Sequence, residues 1–350
     1  MEKIKISSLE ISALSTFLYK SFILIGGINM ILKINEGDLI ISSIIGFIIG
    51  FIILFCFFKL NNILPKYNIF EKIEYLFPKV ISIFIKILLI IPVLIFSSYS
   101  LYNISLFIQT ALLNNVDILP ISILLIIAIY YLANKGIKTL TKTSLICFLI
   151  FIILEIISIL FTIPNINSLK ILPIFKGNIY KTIYSSLIYI ILSFVPIFLL
   201  LIIPINNITE KPKYKKYIKL FYIGTSLYLI FNFILVLSVV DKKLALSINY
   251  PELFILSKIS LLNFFDRMEK ILSYKLILDS FFLITTAIIY LENGITTIIK
   301  NPKIKKIPLI ICCILLLLLC NFFNLESLLI PSLIIFLTTN LFILIFYKIS

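Results

Sequence analysis

Lys20, Glu155 and Glu292 are ionisable side chains that interrupt long apolar stretches of this sequence. A lone charge at the centre of a bilayer costs at least ~2.5–3.5 kcal/mol, so such groups are expected to pair or to line a wet cavity. At ~1.5 Å per helical residue, Lys20 and Glu155 both lie roughly 16–18 Å from the inner ends of their helices. We therefore predict that Lys20 pairs with Glu155, with Glu292 as the competing partner. The open alternative is a structural salt bridge without a role in function.

The other chemistry-bearing residues favour binding over catalysis. The chain has no histidine, and its five cysteines lie within apolar runs at spacings unlike those of metal sites. No two carboxylates have the spacing expected of acid–base catalysts. The 31 basic residues are scattered between hydrophobic runs, which indicates membrane orientation. We predict no enzyme activity, no metal, no cofactor and no nucleic-acid partner.

The composition indicates a polytopic membrane protein. Of 350 residues, 61% are hydrophobic and 13% are charged, and the mean hydropathy is +1.17. Soluble domains are roughly half apolar and about a quarter charged. Ten apolar runs approach the ~20 residues that cross a bilayer. They cover about 9–32, 38–58, 81–112, 118–134, 143–163, 183–204, 217–240, 275–299, 307–321 and 326–347.

Lysine and arginine are concentrated in alternate connections between these runs, including 59–79, 135–142, 211–219 and 300–306. Because basic residues accumulate in cytoplasmic loops, this pattern predicts that both termini are cytoplasmic.

The stretch from Asp241 to Tyr274 is too polar to span a membrane. Its apolar residues nevertheless recur at helical spacing, which favours an interfacial or re-entrant helix on the outer face. An ordinary surface loop is the alternative. The apolar residues are Leu253, Leu256, Ile259, Leu261, Leu262 and Phe265.

Several short motifs resemble the endospore germination permeases, the B-subunits of spore germinant receptors, in the amino acid–polyamine–organocation transporter superfamily. In "INYPELFILSKISLLNFFDRMEKI" (248–271), Tyr250-Pro251 leads to Arg267-Met268-Glu269 before the eighth span. The opening "ISSLEISAL" (6–14) resembles the start of the family's first helix. The stretch "ILPIFKGNIYKTI" (171–183) resembles its link into the sixth.

The resemblance implies one transmembrane domain built from two inverted five-helix repeats, about 1–165 and 178–350, with helices one and six broken at mid-membrane. The sequence agrees, because Gly26-Gly27 and Pro196 interrupt the two corresponding spans. Glycine weakens a helix and proline removes a backbone donor, and paired interruptions of this kind indicate a transporter binding site. Close helix packing or a simple kink would also explain these residues.

Broken helices expose backbone groups that suit a zwitterion, since half-helix N-termini favour a carboxylate and C-termini an ammonium group. The resemblance further implies that Lys20 stands in for the superfamily's bound cation. Polar residues of the third and eighth spans are expected to face the same pocket, although helix–helix hydrogen bonding explains them equally well. The predicted substrate-binding residues are Ile25, Gly26, Gly27, Tyr99, Asn103, Ser193, Phe194, Pro196 and Thr285.

The function that the resemblance implies is a membrane subunit that binds a small germinant, an amino acid, and signals to partners in the spore inner membrane. Those partners are an A-type membrane subunit and a C-type lipoprotein. An autonomous amino-acid or organic-cation transporter of the same fold is the alternative.

Overall fold

The computed structural model describes residues 5–35, 38–113, 116–167, 178–240, 242–248, 250–257, 273–299, 307–322 and 325–349. Helices account for nearly all of these residues. The described part of the chain has no strand, and one isolated bridge joins Ile6 to Ile208.

Ten apolar helices, α1 to α10, make up the membrane part of the described chain. Eight are long and apolar enough to cross a membrane, and α4 and α9 are shorter. Their positions agree with the ten predicted spans, so the chain is an all-α polytopic membrane protein. The helices are α1 (Ser8–Ile34), α2 (Leu39–Asn62), α3 (Lys79–Leu112), α4 (Ile118–Asn134), α5 (Ile137–Thr162), α6 (Ile179–Ile202), α7 (Lys211–Val239), α8 (Tyr274–Ile299), α9 (Ile307–Phe322) and α10 (Glu326–Ile349).

In the described part of the chain, three short α-helices lie between the membrane helices, at Ile69–Leu76, Lys242–Ser247 and Pro251–Ser257. The last two belong to the predicted interfacial segment and pack against α1, α5 and α7. The rest of that segment, including Ile259, Leu261, Leu262, Phe265 and the Arg267-Met268-Glu269 motif, lies outside the described residues.

Helix α1 lies at the centre of the bundle, packed against α5, α6, α7 and α8, and almost all of it is buried. It begins with a capping box, in which Ser7 and Glu10 satisfy each other's backbone N–H groups. The helix is interrupted at Ile25 (φ −100°, ψ 75°) and Gly26 (φ 95°, ψ −19°). Only glycine adopts such a positive φ at little cost, so Gly26 sets the position of the break.

Helix α6 changes character at its midpoint. It is α-helical from Ile179 to Phe194 and continues as a 3-10 helix from Val195 to Ile202, with Pro196 in the first turn. Proline has no N–H to donate, so the α-helical hydrogen-bond ladder cannot continue unchanged through it. The interruption predicted at Pro196 is therefore a tightening of the helix. The arrangement of the ten helices as two inverted repeats stays a prediction.

The orientation of the bundle is a prediction that labelling can check. In a chain whose five native cysteines are replaced by alanine, we expect an impermeant maleimide added outside to label a cysteine at exposed Leu113. A cysteine at exposed Lys213 should remain unlabelled until the membrane is opened, because basic loops stay inside. Labelling at Lys213 in sealed cells would place that loop, and with it both termini, on the outside.

Candidate functional site

A cavity of about 620 Å³ opens at the break in α1. Four of the predicted substrate-binding residues line it: Ile25, Gly26, Tyr99 and Asn103. The remaining lining comes from α1, α3, the end of α9, the start of α10 with the residue before it, and the segment before Pro251. These residues are Asn29, Met30, Lys33, Tyr102, Leu106, Tyr250, Cys320, Asn321, Leu325 and Glu326.

The break in α1 and three polar residues of α3, Tyr99, Tyr102 and Asn103, face each other across this cavity. A methyl group at Gly26 would meet only the Asn103 amide nitrogen, at 4.0 Å. Tyr99, Tyr102 and Asn103 lie on one face of α3, because residues three and four apart on a helix are neighbours. The hydroxyl and amide groups of α3 therefore lie opposite the non-helical backbone at the break in α1. Such an arrangement can bind a small polar molecule.

Tyr250 lines part of the cavity. In the sequence it stood out only as part of the Tyr250-Pro251 pair. Its hydroxyl donates to the Asn103 carbonyl at 3.4 Å, and its ring packs edge-on against Phe107 at 4.9 Å between centroids. The Asn29 side chain donates to the carbonyl of Ile248, which attaches the same segment to α1. The segment before Pro251 is thus tied to both α1 and α3.

Two charged side chains of opposite sign, Lys33 and Glu326, lie among the lining residues at exposed positions. They come from the end of α1 and the start of α10. A ligand with separated positive and negative groups would match this pair of charges.

The other predicted substrate-binding residues do not line the cavity. The hydroxyls of Ser193 and Thr285 donate to carbonyls one turn back in their own helices, at 2.7 and 2.6 Å. Phe194 packs among aromatic rings, Pro196 is buried in the 3-10 turn, and Gly27 faces Leu192 of α6. The structure therefore places the α6 residues in the packed core.

The predicted pairing of Lys20 with Glu155 is wrong. The Lys20 ammonium lies 2.9 Å from Asp279 of α8, and both side chains are almost fully buried. Glu155 instead lies 3.1 Å from the ammonium group of Lys275. Depth along the helix axis does not reveal which face a side chain occupies, and this is why the prediction chose the wrong carboxylate.

Lys275 joins two carboxylates. It lies 3.1 Å from Glu155 of α5 and 3.3 Å from Glu252 in the short helix Pro251–Ser257. Tyr228 of α7 donates to Glu155 at 2.6 Å. We call these residues, with Lys20 and Asp279, the ionic cluster; it connects α1, α5, α7, α8 and the short helix.

One signal in the sequence could have revealed the cluster. Lys275 and Asp279 are opposite charges four residues apart at the start of a predicted span, so they share one face of the helix. Glu292, the predicted competing partner, lies farther along α8 near Cys312 and Cys313 and makes no ion pair among the described residues.

A family model described as a spore germination protein matches residues 5–328 of the chain. The match runs from the residues before α1 into α10, so it includes every residue that lines the cavity and every residue of the ionic cluster. Comparison with curated proteins finds no match.

Proposed function

Since this chain belongs to the family of spore germination proteins, we propose that it is the membrane subunit of a spore germinant receptor and that it binds an amino acid in the cavity at the break of α1. The observation that carries the proposal is the coincidence of that break with the tyrosines and amides of α3. Lys33 and Glu326 support a zwitterionic ligand, because the cavity then offers one charge to each end of the molecule.

The proposed role is sensing and not catalysis. Binding would be passed on to an A-type membrane subunit and a C-type lipoprotein in the spore inner membrane. The segment that carries Tyr250 supports this role, because it touches the cavity and is also held by the ionic cluster through Glu252. A ligand that contacts Tyr250 would act on contacts that reach α5, α7 and α8.

Replacing Asn103 by leucine tests the site. We expect at least about a tenfold rise in the germinant concentration for half-maximal germination, which corresponds to losing ~1.4 kcal/mol of binding. The matched control is Thr285→Val. The Thr285 hydroxyl donates to a carbonyl within α8, and Thr285 does not line the cavity. Both variants should reach the membrane at normal levels, measured by immunoblot of the same spores.

A normal response from Asn103→Leu, or an equal loss in Thr285→Val, would contradict the assignment of the cavity. Uptake of a labelled amino acid by liposomes that contain this chain alone would favour the autonomous transporter over the receptor subunit.

A further inference from the structure

The ionic cluster contains unequal numbers of opposite charges. Lys20 and Asp279 form one pair at 2.9 Å. The other ammonium group, Lys275, faces two carboxylates, Glu155 and Glu252. Within the described residues of the cluster, one negative charge is left without a counter-charge.

All five of these side chains are buried: none is more than 9% exposed. An unbalanced charge in such a place is strongly unfavourable because it has lost its hydration, and buried carboxyl groups avoid this cost by taking up a proton. The cluster therefore needs one more positive charge than its side chains supply.

Among the described residues, Lys275 and Tyr228 donate hydrogen bonds to the two carboxylates. The Lys275 ammonium has three N–H groups, and three acceptors lie within reach: the Ser158 hydroxyl at 3.1 Å and one oxygen each of Glu155 and Glu252. The Tyr228 hydroxyl has a single proton to donate, and its oxygen lies 2.6 Å from a Glu155 oxygen and 3.5 Å from a Glu252 oxygen.

This leaves the second carboxylate oxygen of Glu252, Oε2. It is buried and has no hydrogen-bond partner in the described structure. A carboxylate oxygen that is buried and unbonded carries a high desolvation cost, whereas the neutral carboxyl group carries a much smaller one.

We propose that Glu155 and Glu252 together form a binding site for one exchangeable proton. The charged and titratable groups that face the site are Lys275 and Asp279 of α8, Tyr228 of α7 and Lys20 of α1. Proton binding converts three carboxylates and two ammonium groups into an electrically neutral set. The site lies outside the cavity, and its test requires no germinant.

The proton site is connected to the cavity through a short stretch of chain. Glu252 is two residues from Tyr250, and Tyr250 lines the cavity. Loss of the proton places two negative carboxylates around Lys275, so the contact that holds the short helix Pro251–Ser257 to the bundle changes with the charge of the site.

The chain suits a test by pH because it contains no histidine. Between pH 5 and 7, no side chain with an ordinary pKa titrates. Lys72, in the short helix Ile69–Leu76, stays mostly charged in this window although burial lowers its pKa to about 8. A glutamate that keeps its proton only when folded makes the folding equilibrium constant fall by up to about tenfold per pH unit as the pH rises.

We expect the apparent melting temperature of the full chain in detergent to fall more steeply from pH 5 to 7 than that of Glu252→Gln. The matched control is Glu71→Gln, which keeps the capping box of another short helix and should retain the wild-type slope. Equal slopes for Glu252→Gln and the wild type would overturn the proposal.

Infrared spectroscopy of the folded protein at pH 7 provides a second measurement. We expect a protonated-carboxyl band that weakens in Glu252→Gln, or in Glu155→Gln if the first variant does not fold, and persists in Glu71→Gln. An unchanged band in both cluster variants would overturn the proposal. So would a rise in melting temperature with sodium or potassium at fixed pH that Glu252→Gln abolishes, because a metal ion would then supply the missing charge.

Discussion

Replacing Lys20 by methionine is expected to destabilise the folded chain by ~3–5 kcal/mol, because Asp279 would remain as a buried charge without its cation. The two side chains lie 2.9 Å apart and are 1% and 0% exposed. The loss should appear as a lower denaturant midpoint in detergent and as less monodisperse protein after extraction.

A second substitution shows which carboxylate is the partner. Lys20→Met combined with Asp279→Leu should recover folded protein, because both charges are then gone. Lys20→Met combined with Glu155→Leu should not recover it, because Asp279 stays charged and Lys275 loses one of its contacts. Recovery only in the second combination would restore the pairing predicted from the sequence.

Replacing Gly27 by alanine should also cause a large loss of folded protein. A methyl group there would lie 2.5 Å from the carbonyl oxygen of Phe22 and 3.3 Å from a methyl carbon of Leu192. The nearer atom belongs to the backbone and cannot swing away, so the preceding turn of α1 must move. We expect a cost of ~1–3 kcal/mol or more, measured as the yield and midpoint of purified protein.

Two other glycines provide the comparison. Gly26→Ala adds a methyl group whose nearest neighbour is the Asn103 amide nitrogen at 4.0 Å, but at a φ of +95°, so it should fold with a strain of ~1–2 kcal/mol and alter the germination response. Gly224→Ala lies in α7 with no atom within 4 Å of the added carbon and should be harmless. A wild-type yield for Gly27→Ala would mean that the close approach in α1 is easily relieved.

The cavity and the ionic cluster are two sites on shared elements. Helix α1 carries Lys20 in the cluster and Ile25 in the cavity, five residues apart. The segment before α8 likewise carries Glu252, which belongs to the ionic cluster, and Tyr250, which lines the cavity. A change at either site therefore acts on backbone that also holds the other, and this is the physical basis for proposing that binding can be passed on.

The membrane architecture was predictable from the sequence because it depends on consecutive residues. Apolar runs of spanning length predicted all ten helices, including the shorter α4 and α9. The break in α1 was predictable as well, since two adjacent glycines weaken a helix wherever it lies in the fold. The family resemblance rested on short motifs, and the family match now covers residues 5–328.

The lining of the cavity was predictable only in part. Tyr99 and Asn103 stood out as polar residues in an apolar run, and both line the cavity. Thr285 stood out for the same reason, and Ser193 because it lies beside the interruption at Pro196, but the hydroxyls of both residues bond to their own helices. A hydroxyl in a membrane helix can donate its hydrogen bond to a backbone carbonyl one turn earlier in the same helix. The presence of a hydroxyl in the sequence therefore does not reveal what the side chain faces.

The partner of each buried charge was decided by the tertiary structure alone. Counting residues along a helix gives the depth of Lys20, and Glu155 was chosen as its partner because it lies at a similar depth. Asp279 is the partner because α8 packs beside α1 with that face turned toward it, while Glu155 meets Lys275. Depth is determined by local sequence, but the rotation of each helix about its axis is determined by packing among all of them, and that rotation decides which charges meet.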